Sequence, residues 1–157
     1  MSGVRISSRR AVIVGLGATA LGLAAAAEGL PTVAVMKDPT CGCCEKWITH
    51  LREEGFTVVV MDGPVTPLKV RLGVPRELSS CHTAQVGGYV VEGHVPAGAI
   101  KRLLAEKPHG IGLAVPGMPA GSPGMEVEGM EPATYEVVLF GPDSRSTFAR
   151  YRGSEVV

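Results

Sequence analysis

Two hydrophobic periods alternate along this chain. Thr32-Val33-Ala34-Val35-Met36 is an unbroken apolar run of strand length, ended by the turn-forming Lys37-Asp38-Pro39-Thr40. Cys44, Trp47, Ile48 and Leu51 then recur at spacings of three and four, with Glu45, Lys46, His50, Arg52 and Glu53 on the remaining positions. That pattern predicts a helix with one buried face, for which Gly55 is the stop. Phe56 to Met61 predicts a second strand rich in β-branched residues. A strand, helix and strand within about 30 residues form a βαβ unit with a right-handed crossover. Pro67 to Leu72 is a short amphipathic stretch. His82 to Val86 and Tyr89 to Val95, joined by Gly87-Gly88, predict a hairpin. Pro96 opens another helix, buried through Ile100, Leu103 and Leu104 and ended by Pro108. From Gly110 to Pro132 neither period holds, and the run reads as structureless. Tyr135 to Phe140 and Thr147 to Tyr151 then predict a terminal antiparallel pair around Gly141-Pro142-Asp143-Ser144.

The order βαβ, connector, ββα is that of the thioredoxin fold, so the expected class is α/β, thioredoxin-like. A Gly/Pro/Met-rich loop and a C-terminal strand pair are added to it. In that topology the loop before the third strand lies against the turn between the first strand and the first helix. Both places carry cysteine here. Thioredoxins put a cis-proline in that loop to hold an extended substrate, whereas this chain has Ser79-Ser80-Cys81-His82-Thr83. The substitution counts against a general dithiol oxidoreductase and for a bound ion.

Composition sets the compartment. Met1 to Arg10 is basic, and Ser8-Arg9-Arg10 leads into the uncharged, Gly/Ala-rich run Ala11 to Ala27. Residues 1–27 are therefore read as an export signal of twin-arginine type, with the alternative of an uncleaved anchor at the lower limit of spanning length. Its removal takes Arg5, Arg9 and Arg10 from fifteen basic residues and nothing from fifteen acidic ones, leaving 28–157 with a net charge of −3. Such a domain has no basic field for nucleic acid. It is expected to be periplasmic or otherwise exported, free of the membrane once the signal is cleaved, and large enough to build a core without a disulfide scaffold.

The chemistry lies in the cysteines. All four fall in two places, Cys41-Gly42-Cys43-Cys44 and Cys81 beside His82. The spacing suits several sulfurs converging on one soft ion, or a Cys41/Cys44 dithiol, and both need thiolates that form easily. Two structural disulfides are the bland alternative. Cys41 and Cys43 are expected at the positive end of the helix dipole, and Cys44 on the inward face. Thiolates with thioethers select Cu(I), and Met118, Met125 and Met130 on the flexible run could supply the thioethers or simply pack the loop. His82 adjoins a candidate ligand. His94 ends a predicted strand and could serve either way, His50 is expected to be solvated on its helix, and His109 to cap a helix end.

Cys41-Gly42-Cys43-Cys44 with Trp47, Ser80-Cys81-His82-Thr83-Ala84, Val86-Gly87-Gly88-Tyr89 through Glu92-Gly93-His94-Val95-Pro96, and Leu113 to Pro119 with Gly121 to Glu126 together resemble the DUF411 family of periplasmic metal-binding proteins. The resemblance covers roughly residues 32–150. It implies a thioredoxin-like domain that binds copper through its cysteines in bacterial copper resistance, with cycling between Cu(I) and Cu(II), and exchanges it with a periplasmic copper donor or acceptor protein. Spacing alone leaves three classes open: a Cu(I)-binding protein, a thiol-disulfide enzyme using Cys41 and Cys44, and a [2Fe–2S] electron carrier.

Overall fold

The computed structural model describes residues 29–157, so the export-signal reading of 1–27 lies outside the described residues. Strand β1 (Val33–Lys37), helix α1 (Gly42–Glu53) and strand β2 (Val58–Asp62) form the expected βαβ unit, with β1 and β2 parallel. The amphipathic stretch is a helix, α2 (Val65–Arg71), followed by a single 3-10 turn at Arg76–Leu78. Strands β3 (His82–Val86) and β4 (Tyr89–Glu92) make the hairpin across Gly87 and Gly88, both at positive φ. Helix α3 (Ala97–Glu106) follows. β1 pairs antiparallel with β3, which brings the first strand-to-helix turn beside the start of β3.

Beyond this thioredoxin-like unit the sheet continues through β5 (Gly112–Ala114), β6 (Thr134–Phe140), β7 (Arg145–Arg152) and β8 (Glu155–Val156), in the order β2-β1-β3-β4-β5-β6-β7-β8. Two expectations are corrected here. The run from Gly110 to Pro132 contains β5, which pairs parallel with β4 and carries the sheet across to β6. Three residues are too few to show a period. Gly112 is there because a Cβ would fall 1.8 Å from the Val90 carbonyl oxygen, so only glycine lets the strands approach this way. The second hairpin strand stops at Glu92 rather than Val95. Gly93 takes φ 72 and turns the chain, so His94 lies beyond the strand.

The main core joins one sheet face to α1 and α3 through Val35, Trp47, Ile48, Leu51, Ala84, Val91, Ile100, Leu103 and Leu113, all without exposure. Each large apolar side chain buried there contributes about 1.5–3 kcal/mol relative to exposure. A smaller cluster on the opposite face consists of Leu78, Val90, Ala114 and Phe140, with Leu72 and Val74 packed against it at the end of α2. The strand alternation thus divides the sheet between two helical layers.

Candidate metal centre

The helix dipole and the core face together place the first three sulfurs. Cys41 is the N-cap of α1, its N–H donating to the Asp38 carbonyl at 3.1 Å, and no side chain caps the helix. Cys41 and Cys43 therefore sit at the opening turn of a helix whose first backbone N–H groups have no side-chain cap. Cys44 has no exposure and shares the face of Trp47, Ile48 and Leu51, as its spacing predicts. Cys41 and Cys44 are joined by a disulfide, while Cys43 and Cys81 are free and half-buried. Cys43 Sγ lies 3.6 Å from Cys41 Sγ and 4.0 Å from Cys81 Sγ. The two cysteine groups of the sequence meet in space, and all four sulfurs lie within 4.8 Å of one another.

Cys81 also faces two imidazoles. Its sulfur is 3.2 Å from His82 Nδ1 and 3.1 Å from His94 Nε2, both rings fully buried. His94 Nδ1–H donates to the Pro123 carbonyl at 2.8 Å, which fixes the tautomer and leaves the Nε2 lone pair toward the sulfur. His82 lies against Trp47, ring centroids 4.3 Å apart, and Trp47 Nε1–H is anchored on the Val95 carbonyl. His82 Nε2 is buried with no hydrogen-bond partner among the described residues. Burial holds the pKa of His82 well below the ordinary histidine value, with His94 and Lys69 adding to it, and burial likewise lowers that of His94. Both rings are thus poised as neutral donors. Burial pushes the Cys81 thiol up to about 11, with the charge and hydrogen bond of Cys43 contributing. A thiol with two neutral imidazoles and three further sulfurs is a soft donor set, to which His82 presents Nδ1 and His94 presents Nε2.

The methionine run is an ordered strap over this centre. Ser80 Oγ–H donates to the Gly117 carbonyl, Pro123 accepts from His94, and Gly124 packs directly on the first turn of α1. A Cβ on Gly124 would fall 2.7 Å from the Cys43 carbonyl oxygen and 2.8 Å from the Trp47 nitrogen. The strap folds on itself through Ser122 N–H to Pro119, Met125 N–H to Ser122 and Gly121 N–H to the Met125 carbonyl. Met118 and Met130 are more than half exposed and Met125 is partly buried. The hydrogen bonds that Ser80 and His94 make to the strap both end on its backbone carbonyls.

Two histidine expectations are revised. His50 is half-buried rather than solvated. Its Nε2 accepts the Ala97 N–H at 3.1 Å and so caps α3, a long-range contact that helical spacing cannot show. His109 is exposed past the end of α3, where Lys107 in the left-handed conformation donates its N–H to Leu103 and closes the helix. Residue periodicity also missed Lys37, whose buried ammonium pairs with Glu45 at 2.8 Å and Asp62 at 2.9 Å. It missed Lys69 and Glu92 as well, a buried ion pair at 2.5 Å.

Fold and site define a thioredoxin-like α/β domain with a convergent Cys/His centre at the first strand-to-helix turn. A family model described as "Protein of unknown function, DUF411" matches residues 78–125. Two solved structures are similar. "Copper resistance protein copG- Form 1" is 43% identical at TM-score 0.73, over 79% of this chain and 99% of that one. "Copper resistance protein copG- Form 2" is 42% identical at TM-score 0.71, over 78% of this chain and 98% of that one. No curated protein matches. The chain belongs to the DUF411 family.

Proposed function

We propose that this is an exported copper-binding protein of bacterial copper resistance, holding Cu(I) on Cys41, Cys43, Cys44 and Cys81 with His82 and His94 completing the donor set. The observation that carries the reading is the convergence of four sulfurs and two neutral imidazoles around Cys81. The names of the two similar structures support copper over other soft ions. Copper bound there would bring one-electron chemistry between Cu(I) and Cu(II). The chain's own part is to present thiolates, keep the imidazoles neutral and limit water at the centre. Bridging sulfurs account for a third cysteine inside the Cys-x-x-Cys spacing, because one thiolate can serve two ions. A second reading, exchange of the Cys41–Cys44 disulfide with an external thiol, is favoured by that bond itself.

Anaerobic titration of the reduced domain against a strong Cu(I) chelator tests the first reading, and more than one Cu(I) per chain is expected. No Cu(I) retained against the chelator would leave the disulfide-exchange reading. The same titration judges the methionines. Changing Met118, Met125 and Met130 to leucine preserves volume and apolarity, so the fold and the bound stoichiometry should persist while copper transfer to the chelator slows. Transfer at the parent's rate would assign the three sulfurs to packing the strap.

We further propose that residues 1–27 export the domain to the periplasm, where a copper donor or acceptor protein meets it. No described helix is long and apolar enough to cross a membrane. Arg9→Lys with Arg10→Lys should leave the precursor in the cytoplasm. Export of that variant would point to the general secretory route, and an exported protein that still begins at Met1 would establish an uncleaved anchor.

A further inference from the structure

Directly behind the centre, on the opposite face of the sheet, lies a buried, hydrogen-bonded polar network. Glu92, with no exposure, accepts at Oε1 from Lys69 Nζ at 2.5 Å and from the Ser80 backbone N–H at 2.6 Å, and at Oε2 from the Thr83 hydroxyl at 2.7 Å. Lys69 Nζ also donates to Thr83 Oγ1 at 2.8 Å. Thr83 and Glu92 are cross-strand partners in the β3–β4 register. By strand alternation they face α2 with Val90, whereas His82 faces α1 and lies against Trp47.

Two features make this more than a packing solution for α2. First, removing a carboxylate and an ammonium from water is expensive, and apolar side chains of similar volume often pack an interface at least as stably. The neighbouring cluster of Leu78, Val90, Ala114 and Phe140 shows that this face has apolar residues to use. Second, the bond from Ser80 reaches outside the elements that the ion pair joins. It holds the backbone one residue before Cys81, in the stretch Ser79 to Thr83, which has no proline to stiffen it. Gly93 supports the same point, since a Cβ there would fall 2.6 Å from the Ser80 side chain and 2.7 Å from the Val115 oxygen. Ser80 also carries the strap through Gly117. A charge-assisted bond to its amide therefore fixes the one segment that both the Cys81 sulfur and the strap depend on.

We propose that Glu92, braced by Lys69 and Thr83, is the positioning residue of the metal centre, fixing the Ser80 amide and with it the reach of the Cys81 sulfur toward Cys43 and the two imidazoles. The role in copper affinity rests on the reading of the centre given above, while the fixing of the loop does not. Measurements on the metal-free protein and on Cu(I) competition separate the two.

Two double variants differ only in whether the acceptor survives. Lys69→Met with Glu92→Gln removes both charges and keeps a carbonyl oxygen for Ser80. Lys69→Met with Glu92→Leu removes the acceptor as well. Neither leaves a buried unpaired charge, so both should fold. In the reduced, metal-free protein, amide hydrogen exchange at Ser80 and the alkylation rate of Cys81 are read first. The glutamine variant should keep the parent's values. The leucine variant should lose the Ser80 protection and alkylate Cys81 faster. In Cu(I) competition the leucine variant should then bind about 10–100-fold more weakly, the range typical for lost outer-shell support, with the glutamine variant near the parent. A leucine variant with parental Ser80 protection and Cys81 reactivity overturns the positioning role, whatever its thermal midpoint. Altered loop readouts with parental copper competition overturn the link from loop to metal. A parent that holds no Cu(I) refutes the copper reading instead and leaves the metal-free comparison to judge the loop. Should the leucine variant fail to fold, Lys69→Met with Glu92→Met takes its place, unbranched like the glutamine variant but without its carbonyl acceptor, and parental Ser80 protection in it overturns the positioning role.

Discussion

Replacing Cys81 with serine is expected to remove much of the Cu(I) capacity of the reduced protein while leaving it folded. Cys81 is the one residue that faces both donor groups, with Cys43 Sγ at 4.0 Å on one side and the imidazole nitrogens at 3.2 and 3.1 Å on the other. A hydroxyl is a hard donor that Cu(I) accepts poorly, so the substitution leaves α1 and the histidines as separate partial sites. Because Cys81 is only half-buried, the exchange of sulfur for oxygen costs little packing. Anaerobic titration against a chelator of known affinity reads the result, and a variant that binds as the parent does would show that the two groups do not act as one centre. The same titration carries a pH signature. The Cys81 thiol is held protonated up to about pH 11, so copper taken as the thiolate expels a proton. Apparent affinity then rises with pH through the neutral range, by about tenfold per unit for one proton released. In the serine variant this contribution to the slope should disappear.

Which parts of this centre could be read from sequence follows from the range of the interactions. The βαβ unit, the hairpin and α3 rest on periodicity within single segments, and their order was enough to place Cys81 beside Cys43. Strand β5 was not readable because it is three residues long, and its glycine is required by the approach of Val90, a neighbour about twenty residues away in sequence. His94 was ambiguous for a related reason. Its role depends on the turn at Gly93 and on a carbonyl supplied by Pro123, neither of which a strand pattern reports. His50 reads as a solvated helical residue until α3 arrives with a free N–H at Ala97. Lys69 and Glu92 are separated by 23 residues and look like ordinary surface charges, although Glu92 stands in a strand where an alternating pattern would have tolerated it only at an exposed position. The methionine strap looked flexible from its glycine and proline content. Those residues instead allow close backbone approach, as at Gly124 over Cys43 and Trp47.

Reduction of the Cys41–Cys44 disulfide should control how much copper the centre can take. With that bond formed, two of the four sulfurs are neutral disulfide atoms, and only Cys43 and Cys81 remain as thiols. Disulfide sulfur is a far weaker donor than thiolate, so the oxidised protein is expected to bind about half as much Cu(I), in proportion to the thiols lost. Attack by an external thiolate must come at Cys41, since Cys44 has no exposure. The dipole of α1 then stabilises the thiolates that form in its first turn. Titrating the oxidised and dithiol-reduced forms anaerobically, with the thiols counted by alkylation and mass, reads the difference. Trp47 gives an independent signal. It is the chain's only tryptophan, one residue type represented once in 157, and it lies against His82 inside the centre, so copper entry should change its emission. If both forms bind the same amount with the same emission change, Cys41 and Cys44 hold the turn together and the copper centre reduces to Cys43, Cys81 and the two histidines. If capacity doubles on reduction, the disulfide is the switch through which the redox state of the surroundings sets copper uptake.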